Sequence, residues 1–472
     1  MVRINKNLKD NLIGDSAFYR RVVAIVLPMI IQNTITNVVA LLDNVMVGRV
    51  GTLEMSAVAI VNQLLFVYNI CIFGGLAGAG IFSAQYAGAK DDKGIAYCFR
   101  IKLLTAVALC ALALIIFLVF PRQMINLYLA KDTAPADIAA TLGFAKQYLK
   151  IMLIGLLPFG LTQVYASTLR ELGETKLPMI SSIAAIAINL CFNWVLIFGK
   201  LGFPRMGVVG AAIATVLSRF AEFAIVVIAT HKRNNEFSFI KGIYKSLYVP
   251  KQLAIDINKK GLPLVINEFL WASGMAVLLQ CYSVRGLNVV AAANIASTIN
   301  NLFNVVFISM GCTIGIMVGQ NLGAGEIERA KQTVWRMIFA TIIACLVIGG
   351  IMAAISPIVP QIYKTEPEVK RLATKFLLVF ALYMPIYAFA HDCYFAIRSG
   401  GKTFITFMFD SAVTWGICVP TAFILANFTS MPIVWLYVVV QSIEFVKCIV
   451  GYILIKKGIW INNLIGKEKD NA

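Results

Sequence analysis

The chain has 472 residues, of which 60% are hydrophobic and 14% are charged. Soluble globular proteins carry about 25% charged residues, so this composition excludes a soluble domain and favours a membrane protein with many apolar helices. The net charge of +18 does not indicate a nucleic-acid-binding protein. Lys and Arg concentrate in the polar segments on one side of the predicted membrane helices, as the positive-inside rule describes.

Apolar segments follow one another along the whole chain, and each is long enough to cross a bilayer as a helix. The first is too long for a signal-peptide core and has no small-residue cleavage site after it, so we expect it to be retained. An even number of helices places both termini on the same side of the membrane, and the positive-inside bias makes that side the cytoplasm. The expected location is the inner (cell) membrane. The twelve predicted segments are about residues 20–47, 55–86, 97–120, 139–165, 177–199, 208–230, 257–283, 289–320, 332–357, 371–397, 403–426 and 431–455.

The second half of the chain repeats the first. Pro28, Gln85 and Gly88 have the same residue type 235 positions later, and Arg170 matches Arg398 at an offset of 228. Because each repeat has six helices, both enter the membrane in the same orientation. The sequence predicts an all-α polytopic membrane protein with twelve transmembrane helices in two parallel six-helix repeats. The predicted parts are an N-lobe (residues 1–231), a cytoplasmic linker (232–256) and a C-lobe (257–472).

One acid, Asp43, lies in the second half of the first apolar segment. The equivalent position of the repeat is Leu278, so the scaffold itself does not require an acid there. A carboxylate inside a membrane span is costly and is a functional candidate by default. It can carry a proton or hold sodium, since hard cations prefer oxygen ligands. Asn189 and Asn193 share one face of the fifth helix and could supply such oxygens. The alternative is that Asp43 merely reaches interfacial water.

The second half has its own acids at non-equivalent positions. Glu268 lies on the seventh helix with Trp271 at i+3, which suits a cage for an organic cation. Asp410 corresponds to Ser182 of the first half, and Asp392 on the tenth helix could titrate or pair with a neighbour. We predict a substrate or second cation site from these residues; the alternative is that the acids lie at the interfaces.

Two further charge pairs lie within helices. Arg219 with Glu222, and Glu444 with Lys447, are spaced i, i+3 and are predicted to neutralise each other as structural pairs. The sequence has no nucleotide-binding motif, no His/Cys cluster and no nucleophile–base pairing. It therefore predicts no catalytic residues, no metal site, no enzyme activity and no cofactor, and transport driven by a proton or sodium gradient.

The sequence resembles the multidrug and toxin extrusion (MATE) family of transporters over nearly its whole length. The motifs that carry the resemblance are Leu-Leu-Asp43-Asn-Val-Met-Val-Gly48, Ala84-Gln85-Tyr86-Ala87-Gly88, Arg170-Glu-Leu-Gly173, Asn189-Leu-Cys-Phe-Asn193, Gly207-Val-Val-Gly210, Val318-Gly-Gln320-Asn-Leu-Gly323 and Arg398-Ser-Gly-Gly. The resemblance implies two six-helix lobes and antiport of organic cations against sodium or protons. It also implies a coupling site of Asp43, Asn189, Asn193 and Thr215, and a role for an acid of helix 7, which Glu268 matches. Some branches have Asp where this chain has Asn193.

The leading hypothesis is a multidrug efflux antiporter that works by alternating access between its lobes. Its expected partners are a small, cationic amphipathic substrate and the lipid bilayer, with no nucleic acid, and the chain is expected to be a monomer. The alternative is a lipid-linked oligosaccharide flippase of the same superfamily, which would have a cavity rich in Arg and Lys. The sequence leaves the choice between proton and sodium open.

Overall fold

The computed structural model describes residues 12–128 and 135–466, and its regular structure within these ranges is helical. Residues 1–11, at the start of the predicted N-lobe, lie outside the described residues. The spanning elements are α1 (Ser16–Gly48), α2 (Thr52–Gly88), α3 (Asp92–Val119), α4 (Pro135–Ile154 with Leu156–Glu171), α5 (Lys176–Phe198), α6 (Val208–Lys232), α7 (Lys251–Ser283), α8 (Leu287–Gly323), α9 (Ile327–Ile355), α10 (Pro367–Ser399), α11 (Thr403–Phe428) and α12 (Ile433–Lys456).

The twelve-helix prediction is confirmed for the described ranges. Eleven continuous helices are long and apolar enough to cross a membrane, and α4 is a pair of helices bent by 45° that together make one more span. Lipid offers no partners to backbone N–H and C=O groups, so apolar segments of this length satisfy those groups within helices. The sequence therefore determines the class of fold through its apolar lengths.

The internal repeat is visible in the helix bounds. Helices α1 and α7 each contain 33 residues and include one proline, Pro28 and Pro263. Helices α2 and α8 each contain 37 residues. Both pairs start 235 positions apart, at the offset that the sequence repeat predicts.

The chain divides into two compact units. We call one the C-terminal unit; it comprises the residues up to Ile30, Ala84–Asp91 and the residues from Lys259 onward. The N-terminal unit comprises Ile31–Ser83 and Asp92–Asn258. The boundaries between the units therefore fall inside α1, near the end of α2, just before α3 and inside α7.

In the C-terminal unit, the end of α2 crosses α8 at a distance that only glycine allows. A Cβ atom at Gly88 would overlap the backbone carbonyl of Gln320, and one at Gly323 would overlap that of Gln85. The Gln85 side chain donates to the Ser399 carbonyl (3.1 Å) and accepts from the Leu464 N–H (2.8 Å). These repeated glycines thus allow two backbones to pack directly on each other.

In the N-terminal unit, the segment between α6 and α7 is folded onto α3. It contains two short 3₁₀ turns, Ser238–Ile240 and Ile243–Lys245. Asp92 accepts a hydrogen bond from Ser238, and Arg100 donates to the Ile243 carbonyl (3.2 Å). Hydrogen bonds to the start of α3 therefore hold this polar segment in place.

A buried ion pair lies between α3 and α4 of the N-terminal unit. Lys102 is fully buried, and its ammonium donates to Glu171 (2.5 Å), Thr168 (3.1 Å) and Ser167 (3.2 Å). All three N–H bonds of the ammonium are therefore satisfied. A lysine in this position depends on its carboxylate partner, since an isolated buried charge is costly.

Replacement of this partner, Glu171→Gln, is expected to destabilise the protein by about 3 kcal/mol, because it leaves the Lys102 ammonium buried without a counter-charge. Thermal melting of the purified protein in detergent measures the effect. The control is Glu328→Gln, whose partner Lys331 is 43% exposed, and its effect is expected to stay below about 1 kcal/mol. Equal melting temperatures for the two variants would contradict the prediction.

Candidate functional site

Asp43 of α1 is joined to α5 and α6 by a chain of polar side chains within the N-terminal unit. The Asn193 amide donates to Asp43 Oδ1 (2.8 Å) and to Asn189 Oδ1 (3.0 Å). The Asn189 amide in turn donates to Thr215 Oγ1 (3.4 Å). Asn193 is 2% exposed and Asn189 6%. The structure thus brings together all four residues of the predicted coupling group.

The amide of Asn189 has two orientations with different consequences for Asp43. Its Oδ1 position lies 3.2 Å from both carboxylate oxygens of Asp43. With the oxygen there, it can accept a hydrogen bond from a protonated carboxyl group; with the amide rotated, its nitrogen donates to both carboxylate oxygens. The same side chains can therefore satisfy the neutral and the ionised acid.

The buried carbonyl oxygen of Asn193 has no hydrogen-bond partner. A buried unpaired acceptor is costly, and beside a carboxylate it is also an available ligand for a cation. Asp43, Asn189 and Thr215 add further oxygens to the same place. The donor set is all oxygen, which is the chemistry that a hard cation such as sodium prefers.

Close packing of α5 against α6 sets the spacing of this group. A Cβ atom at Gly210 would lie 2.7 Å from the Leu196 backbone, so the two helices approach closely. Gly199 ends α5 with φ +67, a conformation that glycine adopts without strain. The Met206 N–H then donates to the Leu196 carbonyl (2.9 Å). This tight connection brings Thr215 within reach of Asn189.

A second polar group lies in the C-terminal unit, where α7, α11 and α12 meet. The Asn267 amide donates to Asp410 Oδ2 (3.1 Å), and the Lys447 ammonium donates to Asp410 Oδ1 (3.0 Å). Lys447 also pairs with Glu444 (2.9 Å). Asp410 belongs to a π-helical turn, Met408–Ala412, a local irregularity often found at functional sites.

Glu268 lies beside this second group. Its electrostatic neighbours are Arg398, Asp410 and Tyr394. Trp271, one turn further along α7, is 43% exposed. Glu268 and Asp410 are therefore neighbours, and Arg398 adds a positive charge next to them.

Asp392 does not join this group, because it faces α9. It is fully buried beside Thr341 and Cys345, and neither carboxyl oxygen has a hydrogen-bond partner. An ionised carboxylate there would carry the full cost of an unpaired buried charge. Asp392 therefore remains a predicted site residue, but it lies apart from Glu268 and Asp410.

The predicted charge pairs of the sixth helices behave differently in the two repeats. The pairing of Glu444 with Lys447 is confirmed. Arg219 interacts electrostatically with Glu222, and its guanidinium also donates to the Gly155 carbonyl (3.4 Å) and lies 5.1 Å over the Phe159 ring. Sequence reasoning missed Asn267, whose uncharged amide at a helical position carries no distinctive signal.

Known proteins resemble this chain along most of its length. Residues 28–195 and 263–424 match the MatE family model, one block in each repeat. YoeA of Bacillus subtilis (strain 168), a probable multidrug resistance protein, is 24% identical over 425 residues, which cover 89% of both chains. NorM of Thermotoga maritima, also a probable multidrug resistance protein, is 24% identical over 416 residues, 87% of this chain and 86% of that protein.

A solved structure confirms the fold. A crystal structure of a variant of the Vibrio cholerae MATE transporter VcmN superposes with a TM-score of 0.84 at 17% sequence identity, covering 95% of this chain and 98% of that one. The family match extends over more than half of the chain and contains Asp43, Asn189, Asn193, Glu268 and Asp410. This chain belongs to the MatE family and is a multi-pass membrane transporter, not an enzyme.

Proposed function

We propose that the chain is a secondary active multidrug efflux antiporter, which exports organic cations or other amphipathic compounds in exchange for protons or sodium ions. Two relatives support this, since YoeA and NorM are both named as probable multidrug resistance proteins. The observation that carries the coupling proposal is the contact of Asp43 with Asn193 and Asn189 within the N-terminal unit.

The coupling step is proposed to take place at Asp43. Uptake of a proton turns the carboxylate into a donor toward Asn189 Oδ1; uptake of sodium would instead recruit the unpaired carbonyl oxygen of Asn193. Either event removes the negative charge that Asn193 now stabilises. A bound ion changes the balance between two conformations only through a difference in its affinity for them. Thr215 supports the group by accepting from Asn189.

The substrate or second cation site is proposed at the acids of the C-terminal unit. Glu268 and Asp410 supply negative charge, and the exposed Trp271 supplies an aromatic face for an organic cation. Asp392 belongs to the proposal as a separate buried acid on α10. The proposal also places a monomer in the inner membrane with both termini in the cytoplasm.

Purified protein in proteoliposomes tests this function. A fluorescent organic cation is loaded, and a pH gradient or a sodium gradient is imposed separately. We expect one of the two gradients to drive movement of the cation against its own concentration gradient. This transport should stop when an ionophore collapses the driving gradient. Movement that is equally fast without any gradient would contradict antiport.

A further inference from the structure

Lys447 of α12 is held between two carboxylates on different helices. Its ammonium lies 3.0 Å from Asp410 Oδ1 on α11 and 2.9 Å from Glu444 Oε1 on α12, and its side chain is only 10% exposed. Removing a charged ammonium from water is expensive, and two nearby carboxylates offset this cost. The position between the two oxygens is therefore a place where a positive charge is strongly favoured.

The second oxygen of the Asp410 carboxylate also has a hydrogen-bond partner. Its Oδ2 accepts from the Asn267 amide (3.1 Å), and that amide is itself positioned by Ser411, which donates to Asn267 Oδ1 (2.6 Å). Trp415 donates to the Leu270 carbonyl (2.9 Å) and ties α11 to α7 at the same level. The Asp410 carboxylate is thus also held by the Asn267 amide, so its position does not depend on the lysine alone.

The equivalent positions on the fifth and sixth helices of the first repeat, which the structure describes, do not form such an arrangement. The residue equivalent to Asp410 is Ser182, and the charged neighbour that it meets on the sixth helix is an acid, Glu222. The six-helix scaffold therefore folds without a lysine between two carboxylates. Because the two repeats share one fold, an ion pair that is present in only one of them is better explained by a role in function than by a requirement of folding.

We propose that the Lys447 ammonium is a built-in cation that occupies a latent monovalent-cation site formed by Asp410 and Glu444. While Lys447 is there, neither a metal cation nor an organic ammonium can bind between the two acids. This inference rests on the proposed cation-coupled function, and it assigns ion coupling to Asp43 rather than to Asp410. Lys447 then keeps a second coupling ion away from the position between Asp410 and Glu444.

Removal of the lysine tests the proposal directly. In Lys447→Met the site loses its internal cation, and the melting temperature of the purified full-length protein should fall. We expect sodium chloride or methylammonium chloride to raise it again by about 3 °C or more, compared with N-methylglucamine chloride at equal ionic strength. The rise should be smaller in the wild-type protein, whose own ammonium fills the site, because any stabilisation by cations bound elsewhere, as at Asp43, is common to both proteins.

Two further variants separate this explanation from a purely structural role. Lys447→Met combined with Asp410→Asn should lose the additional response to sodium and methylammonium and respond as the wild type does. Lys331→Met, which removes a surface lysine, should also behave like the wild type. A melting temperature of Lys447→Met that responds to these cations no more than the wild type does would overturn the proposal. So would a response larger than that of the wild type that survives in the double variant.

A transport measurement covers the case in which Lys447→Met does not fold. Asp410→Asn keeps Lys447 paired with Glu444, and we expect its efflux, whatever its rate, to depend on the same ion gradient as that of the wild type. Loss of ion coupling in a folded Asp410→Asn protein would overturn the inference. Failure of wild-type antiport would refute the proposed function instead, and it would leave the cation response of Lys447→Met to be judged by itself.

Discussion

Asp43→Asn is expected to reduce gradient-driven efflux by at least about tenfold while the protein stays folded. An asparagine side chain can neither take up a proton nor neutralise a bound sodium ion. The coupling ion then has no difference in affinity for the two conformations, so its gradient cannot favour one of them. Initial rates of efflux of a fluorescent cation, with and without the coupling gradient, measure the effect. The loss should appear as rates that no longer depend on the gradient.

The structure explains why this substitution should be tolerated. Asparagine has nearly the shape of aspartate, its oxygen can still accept from the Asn193 amide, and the equivalent position in the second repeat is Leu278. The matched control is Asp137→Asn, since Asp137 is exposed in the first turn of α4; its efflux should equal that of the wild type. Unchanged, gradient-dependent efflux by Asp43→Asn would refute coupling at this residue.

Gly88→Val is expected to prevent normal folding, with a loss of more than about 3 kcal/mol of stability. A side chain there would overlap the Gln320 backbone carbonyl, and a backbone atom of a packed helix cannot rotate away. The yield of monodisperse protein and its melting temperature measure the effect. Gly323→Val should lower the yield and the melting temperature as Gly88→Val does, because its Cβ would overlap the Gln85 carbonyl.

Gly350→Val is the control for this prediction. Gly350 is exposed in α9, and nothing lies within 4 Å of a Cβ atom built there. Because valine has a somewhat higher helix propensity than glycine, this variant should melt at or slightly above the wild-type temperature. If Gly88→Val and Gly350→Val melted alike, the close crossing of α2 and α8 would not be a determinant of stability.

The fold class and the repeat were predictable from sequence because they depend on local quantities. The length of each apolar segment predicts a spanning helix, and the 235-residue offset predicts the equal lengths of α1 and α7. The exact bounds were less predictable. Helix α2 begins at Thr52 and includes Glu54 in its first turn, since a helix can extend beyond the apolar layer into polar surroundings.

For the candidate site, the sequence alone determined that Asp43 is an acid the scaffold does not require and that Asn189 and Asn193 share a helix face. Only the tertiary structure decided which helices lie against those faces. It placed Asn193 on Asp43, Lys447 between Asp410 and Glu444, and Asp392 toward α9. Helical periodicity defines the direction in which a side chain points from the axis of its helix. Which residue it contacts depends on packing between segments that are far apart in the chain.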